Sequence, residues 1–219
     1  MIDYKLVIFD CDGVLVDSEM LSAQVIADVL ETVGIKMTAE ESYKTFVGGS
    51  MQKTLDYVKE QLGYVPDVDI QGEYRKLSFA AYREKLTPVE GVVNILDQLK
   101  TSVCVASNGP KYKIQLNLQI TGLSKYFHDD HIFSAYDLQK WKPDPALYLN
   151  AAKVCKVHPS ECIVIEDSIH GLHAAESAGM KCLGISYPIK PLPQNIGAAE
   201  VFPTMDYICN RLQELETMI

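Results

Sequence analysis

The stretch Lys5-Leu6-Val7-Ile8-Phe9-Asp10-Cys11-Asp12-Gly13 decides the fold, because a short apolar run ends abruptly in two carboxylates and a glycine. Consecutive apolar and β-branched residues are typical of a strand that is buried on both faces of a parallel sheet. Asp10 and Asp12 are two residues apart, so in extended backbone their side chains point the same way. Gly13 allows the chain to turn sharply out of the strand. The pattern predicts a buried first strand with polar groups at its carboxyl end.

Similar apolar segments recur along the chain and alternate with helical patterns. Strands are predicted at 103–106 and 162–165, and weaker ones at 132–133 and 182–185. Helices are predicted at 92–100, from near Pro110, after Asp144-Pro145, at 168–178, and from about 205 onward. Alternating strands and helices predict an α/β fold with a doubly wound parallel sheet.

Residues 18–87 interrupt this alternation, because their patterns are all helical. Leu21, Val25, Val29 and Val33 form an apolar stripe that ends at Gly34. A capping-box pattern begins at Thr38, and two more helical stretches follow at 50–62 and 70–86. The sequence predicts a helical subdomain at 18–87, inserted into an α/β core made of residues 1–17 and 88–219.

Composition limits the classes of partner. The chain has 219 residues and a formal net charge of -9, which argues against nucleic acid and against anionic membrane surfaces. No run approaches the roughly 20 apolar residues of a membrane span, and the first residues lack the pattern of a signal peptide. Six cysteines without a C-x-x-C pair argue against a zinc site. We expect a cytoplasmic monomer that binds no nucleic acid and no membrane.

Further polar residues follow the other predicted strands. Ser107-Asn108-Gly109 ends the second strand, Glu166-Asp167 ends a later one, and Lys142 precedes a helix between them. Ligands of open parallel sheets bind beyond the carboxyl ends of the strands, so these groups should converge there. The four carboxylates, counting Asp10 and Asp12, carry four negative charges, of which Lys142 balances one. Mg²⁺ would balance two more and bridge carboxylates to a phosphate, which predicts a magnesium-dependent site for a small phosphorylated molecule.

The paired aspartates suggest a division of labour. Asp10 would attack phosphorus and form an acyl phosphate. Asp12 would protonate the departing alcohol and then act as base toward water. Like-charged neighbours favour the protonated form of such a carboxyl, which suits this role.

These motifs resemble those of the haloacid dehalogenase-like superfamily. Phe9-Asp10-Cys11-Asp12-Gly13-Val14-Leu15-Val16-Asp17-Ser18-Glu19 is similar to its first motif. Ser107-Asn108-Gly109, Lys142-Pro143-Asp144-Pro145 and Glu166-Asp167-Ser168 are similar to the second, third and fourth, in order. The helical insert resembles the C1 cap of the superfamily.

The resemblance implies a role for each motif residue. It makes Asp10 the nucleophile, Asp12 the acid/base, and Ser107 and Lys142 the groups that hold the phosphoryl group, with Asn108 and Gly109 beside them. It implies that Asp10, Asp167 and the Asp12 carbonyl hold Mg²⁺ and that Glu166 supports the ion through water. The turn at 107–110 and the run at 141–145 resemble sugar-phosphate phosphatases of the 6-phosphogluconate phosphatase kind.

Two other functions remain open, and one loop is a candidate for substrate selection. β-Phosphoglucomutase members carry a histidine twelve residues after the nucleophile, where this chain has Ser22. A non-catalytic regulator that binds a phosphometabolite would be expected to lack a motif residue, and none is lacking. In the cap, Gly48, Gly49 and Ser50 could approach a substrate, and Lys53 could meet its carboxylate or be an ordinary surface lysine.

Overall fold

The computed structural model describes residues 4–46, 49–189, 191–193, 197 and 199–217. The chain forms two compact units. The larger consists of Met1–Val16 and Pro88–Ile219, and the smaller of Asp17–Thr87.

In the part of the larger unit that the structure describes, six strands form a parallel sheet. They are β1 Leu6–Phe9, β2 Ser102–Ser107, β3 Ile132–Ser134, β4 Cys162–Glu166, β5 Lys181–Ile185 and β6 Glu200–Phe202. The strand order is β3-β2-β1-β4-β5-β6. β2 and β3 lie on one side of β1, and β4, β5 and β6 lie on the other side. The strand order therefore reverses beside β1, which is the switch point of the sheet. This confirms the predicted doubly wound sheet and adds β6, which the sequence did not predict.

The pairing places the strand ends in register. Phe9 of β1 lies opposite Val105 of β2 and Ile165 of β4. All four residues of β1 are fully buried, as expected for a central strand covered on both faces. The residues that follow β1, β2 and β4 therefore emerge at one edge of the sheet.

Helices cover both faces of this sheet. They are α5 Val92–Gln98, α6 Lys111–Ile120, α7 Ala135–Leu138, α8 Ala146–Val154, α9 Ile169–Ser177 and α10 Met205–Thr217. α8 and α9 pack their apolar side chains, Leu147 and Leu172 among them, onto alternate residues of the strands, including Leu6 and Ile8. The connections through α5 and α6 run along the sheet in the opposite direction to those through α8 and α9, so the usual right-handed crossover places α5 and α6 on the other face. The last helix, α10, packs against α5.

The described residues of the smaller unit form four helices, α1 to α4. They are α1 Glu19–Thr32, α2 Ala39–Phe46, α3 Met51–Leu62 and α4 Ile70–Lys85. Val25, Val29 and Leu30 of α1 pack with Phe46, Val58 and Ile70 in a common apolar core.

Local sequence signals set the ends of these helices. Thr38 Oγ1 accepts a hydrogen bond from the Glu41 backbone N–H, and the Glu41 carboxylate accepts one from Thr38 N–H. This is the reciprocal capping box that the sequence predicts. Gly34, after α1, has φ +87°, which a glycine adopts without strain.

Within the described part of the chain, none of the helices is long and apolar enough to cross a bilayer.

Candidate active site

A tight turn directly after β1 carries the first carboxylates. The Asp10 backbone N–H donates to the Ile165 carbonyl at 3.0 Å, so the ladder with β4 continues to Asp10. The chain then turns at Gly13, whose φ is +79°. A Cβ atom at Gly13 would lie 2.3 Å from Asp167 Oδ2. The turn can therefore approach the end of β4 only because position 13 has no side chain.

Three carboxylates form a compact group at this edge. One carboxylate oxygen from each of Asp10, Glu166 and Asp167 lies within 4.8 Å of the others. Asp10 and Glu166 are buried, and Asp167 is half-buried. Hard oxygen ligands at this spacing suit a divalent cation, and close negative charges of this kind are costly to bury without one. This group could bind a divalent metal ion.

Lys142 joins two members of the group. Its Nζ donates to Asp10 Oδ1 at 2.6 Å and to Glu166 Oε1 at 2.6 Å, and the side chain is almost fully buried. Burial alone would lower the pKa of Lys142, but the charges of Asp10 and Glu166 outweigh it and hold that pKa above its ordinary value. The lysine is therefore positively charged at any physiological pH.

The two carboxyl groups that share Lys142 differ in their affinity for protons. Burial raises the pKa of Asp10 to about 7, against the charge of Lys142 and reinforced by the charges of Glu166 and Asp12. Burial would also raise the pKa of Glu166, but the charge and hydrogen bond of Lys142 and two hydrogen bonds from Ser168 outweigh it, and the pKa is lowered. The site thus contains one firmly ionised carboxylate and one that binds a proton more readily.

Glu166 is surrounded by hydrogen-bond donors. Besides Lys142, the Tyr148 hydroxyl donates to Oε1 at 2.9 Å, and the Ser168 N–H and hydroxyl each donate to Oε2 at 2.8 Å. Tyr148 is fully buried, and its ring centroid lies 4.8 Å from Lys142 Nζ. A Cβ atom at Gly171 in α9 would lie 1.9 Å from Glu166 Oε1, so the helix also packs directly on this carboxylate. With four hydrogen bonds, Glu166 is fixed in place and anchors Lys142.

The Asp12 side chain has different partners from those of Asp10. Lys113 Nζ donates to Asp12 Oδ2 at 2.9 Å, and Asn117 Nδ2 donates to Asp12 Oδ1 at 3.4 Å. Both donors belong to α6, which begins just beyond the end of β2. Among the described residues, the three-carboxylate group does not include the Asp12 side chain. The sequence predicts a metal contact for the Asp12 carbonyl and an acid/base role for its side chain, and both stay predictions.

The loop after β2 lies against both the lysine loop and Asp12. Ser107 Oγ is buried and accepts from the Gly109 N–H at 3.1 Å. Asn108 Oδ1 accepts from the Lys142 N–H at 3.0 Å. A Cβ atom at Gly109 would lie 3.5 Å from Ser107 Oγ and 3.9 Å from Asp12 Oδ2, which is ordinary contact. The structure therefore brings Ser107, Asn108 and Gly109 to the same edge as Asp10 and Lys142.

The predicted cap residues belong to the smaller unit. Ser50 caps α3 by accepting from the Lys53 N–H at 3.4 Å, and Lys53 Nζ donates to the Thr45 carbonyl at 2.5 Å. The Gly49 N–H donates to the Phe46 carbonyl at 2.9 Å. Gly48, named with them, lies outside the described residues.

Sequence reasoning missed four residues of this site. They are Lys113 and Asn117 on α6, Gly171 on α9, and Tyr148 on α8. Both α6 and α9 begin just beyond a strand end. Lys113 and Asn117 are four residues apart and share a helix face, which is the signal that could have found them as a pair.

A doubly wound parallel sheet, with a carboxylate group at its switch point that could bind a metal ion, is typical of a class of Rossmann-like enzymes. The sequence matches haloacid dehalogenase-like hydrolases over residues 7–185, and the chain belongs to that family.

Named relatives narrow the class of reaction. The chain is 35% identical to 6-phosphogluconate phosphatase from Escherichia coli (strain K12) over 81% of this chain and 80% of that protein. A family hydrolase from Deinococcus radiodurans R1, solved with bound phosphate and sodium, is 30% identical, with a TM-score of 0.83 over 98% of this chain and 97% of the other. A structure described as a putative β-phosphoglucomutase from Thermotoga maritima is 28% identical, with a TM-score of 0.81 over 96% and 99% of the two chains. The protein is a phosphoric monoester hydrolase of this family, a phosphatase, as the sequence predicted.

Proposed function

We propose that this protein is a Mg²⁺-dependent phosphatase of a small phosphorylated metabolite that works through a phosphoaspartate on Asp10. The substrate class is a sugar phosphate or a phosphosugar acid such as 6-phosphogluconate. The observation that carries the proposal is the buried bridge of Lys142 between Asp10 and Glu166, beside Asp167. The relative named 6-phosphogluconate phosphatase supports the substrate class.

The proposed chemistry uses Asp10 and Asp12 in two steps. An Asp10 carboxylate oxygen attacks phosphorus while the bond from phosphorus to the ester oxygen breaks, and Asp12 gives its proton to that oxygen. Water then attacks phosphorus and gives a proton to Asp12. The bond from phosphorus to Asp10 breaks, and inorganic phosphate and unmodified Asp10 result.

The remaining groups bind and orient the phosphoryl oxygens. Lys142 and Ser107 would contact the phosphoryl oxygens, and Lys142 is held beside Asp10 by its hydrogen bond to Glu166. Asp10 and Asp167, with the Asp12 carbonyl and with Glu166 in support, would hold the divalent ion. Mg²⁺ would supply positive charge that allows a carboxylate and a phosphate dianion to approach each other.

The cap residues are proposed to select the leaving group. Gly49, Ser50 and Lys53 would contact the part of the substrate beyond the phosphate. Replacement of Lys53 by Met would then raise KM for a phosphosugar acid more than KM for a neutral sugar phosphate.

Phosphate release from a panel of sugar phosphates and phosphosugar acids tests the function. We expect release with Mg²⁺ and at least a 100-fold loss with chelator or with Asp10→Asn, since the nucleophile is removed. Asp67→Asn, the same change at an exposed carboxylate of the smaller unit, is the control and should retain full activity. Trapping of ³²P on the wild-type protein, but not on Asp10→Asn, would identify the acyl phosphate.

Two results would favour the other functions. Isomerised sugar phosphates without net phosphate release would indicate the mutase. Ser22, at the position of the mutase histidine, shares a hydrogen bond of 2.6 Å with the Tyr82 hydroxyl. Binding of the panel without any turnover would indicate a regulator.

The cytoplasmic location and the monomeric state stay predictions, to be checked by cell fractionation and by light scattering.

A further inference from the structure

The first turns of α6 supply hydrogen bonds to both oxygens of Asp12. Lys113 Nζ lies 2.9 Å from Oδ2, and Asn117 Nδ2 lies 3.4 Å from Oδ1. The two donors are four residues apart, so the same face of one helix contacts the whole carboxylate group. The orientation of Asp12 is therefore coupled to the position of α6.

The burial of these side chains distinguishes the contact from an ordinary surface ion pair. The Lys113 and Asp12 side chains are only 24% and 23% exposed. Exposed pairs contribute little because both side chains remain mobile and hydrated, whereas a half-buried pair is constrained. The four carboxylates carry four negative charges, and Lys142 and a divalent ion would balance three of them. The ammonium group of Lys113 balances the fourth.

Asn117 is harder to explain by stability alone. It is fully buried in a helix, and its Oδ1 has no hydrogen-bond partner within the described ranges. An unsatisfied buried polar atom destabilises the folded state, so an apolar side chain would suit the helix better. The hydrogen bond from its Nδ2 to Asp12 explains why an amide occupies this position.

Lys113 also lies beside the loop that would hold the phosphoryl group. A Cβ atom at Gly109 would lie 3.8 Å from Lys113 Cδ, 3.9 Å from Asp12 Oδ2 and 3.5 Å from Ser107 Oγ. The stem of the lysine is thus packed between this loop and Asp12. Its ammonium group is fixed against Asp12 Oδ2.

We propose that Lys113, with Asn117, is a positioning residue that fixes the Asp12 carboxyl group for proton transfer at the leaving oxygen. The inference rests on the proposed function and extends it. The proton moves from Asp12 to the leaving oxygen as its bond to phosphorus breaks, and water later returns one. Lys113 keeps all its protons and acts only through Asp12.

Two substrates with different leaving groups separate this role from a structural one. A sugar alkoxide must be protonated as it leaves, whereas p-nitrophenolate leaves without a proton, and kcat/KM reports on this first transfer. We expect Lys113→Met to lower kcat/KM about 10- to 100-fold for the best sugar phosphate and less than about 3-fold for p-nitrophenyl phosphate, since a misplaced acid loses most of its effect. Lys113→Arg should recover most of the loss. Lys111→Met, on the same turn, is the matched control and should change neither value.

A double-mutant cycle tests whether Lys113 acts through Asp12. In an Asp12→Asn background, Lys113→Met should have no further effect on either substrate. An equal fall with both substrates, or a full additional loss in the Asp12→Asn background, would overturn the role, because Lys113 would then bind the substrate or support the fold. A wild-type protein that releases no phosphate would overturn the proposed function and this inference together.

Discussion

Asp10 combines burial with a negative charge, and that combination has a cost in stability. Its pKa is raised to about 7, so between pH 4 and 7 the folded chain binds a proton that the unfolded chain has released. The free energy of unfolding contributed by this group therefore falls as the pH rises through that window. Above pH 7, the folded protein carries the full penalty of the buried charge.

Removal of that charge should stabilise the protein when metal is absent. In chelator at pH 8, we expect Asp10→Asn to raise the free energy of unfolding by about 1–3 kcal/mol, since one pKa unit corresponds to 1.4 kcal/mol and the lost bond to Lys142 offsets part of the gain. The difference should shrink toward pH 4.5. Urea unfolding at both pH values would measure it, with Asp67→Asn as the reference. A gain that is the same at both pH values would show that the carboxyl charge is not its source.

At the scale of elements, α9 packs directly against the Glu166 carboxylate at a single glycine. Gly171 lies in the first turn of α9, and a methyl group there would overlap the Glu166 carboxylate. An ordinary Gly→Ala change within a helix stabilises by about 1 kcal/mol. Here we expect Gly171→Ala to destabilise by about 1–3 kcal/mol and to lower activity, because overpacking displaces Glu166 and with it Lys142.

Thermal unfolding and phosphate release would both report this change. Ser177→Ala, at an exposed position of the same helix, is the control and should alter stability by less than about 0.5 kcal/mol. If Gly171→Ala proved as stable and active as the control, the close packing of α9 on Glu166 would be incorrect.

The central elements could be predicted from the sequence, because burial on both faces leaves an unmistakable apolar run. β1 and β4 have such runs, and the carboxylates after them necessarily meet at one edge. β6 escaped prediction because it has three half-buried residues at the edge of the sheet, and its place is set by pairing with β5. Local sequence does not encode that pairing.

The contact of Lys113 with Asp12 escaped prediction for a different reason. Lys111 and Lys113 stand two residues apart on α6, and so point in different directions. Which of them faces the strand ends depends on the rotation of the helix about its axis. Packing of α6 on the sheet sets that rotation, and the residue types do not reveal it.

On the scale of the whole molecule, metal binding should be linked to the stability of the larger unit. Asp10, Glu166 and Asp167 all belong to that unit. An ion at 100 times its dissociation constant stabilises by about 2.7 kcal/mol, provided that it binds only the folded state. We expect Mg²⁺ to raise the melting temperature of the wild type and to have little effect on Asp167→Asn.

Differential scanning calorimetry would also show whether the two units unfold together. If they melt separately, only one transition should respond to Mg²⁺. A shift in Asp167→Asn as large as that in the wild type would place the bound ion elsewhere.

The turn after β1 constrains how this sequence can drift over time. Two features exclude a side chain at position 13. The backbone φ is +79°, and a Cβ atom would lie 2.3 Å from Asp167 Oδ2. Any single substitution there must distort the turn or push Asp167 out of its group. A compensating change at 167 would remove the very carboxylate that the turn accommodates. Glycine at position 13 and aspartate at position 167 therefore constrain each other, and we expect sequence change to be tolerated at neighbouring positions but not at these two.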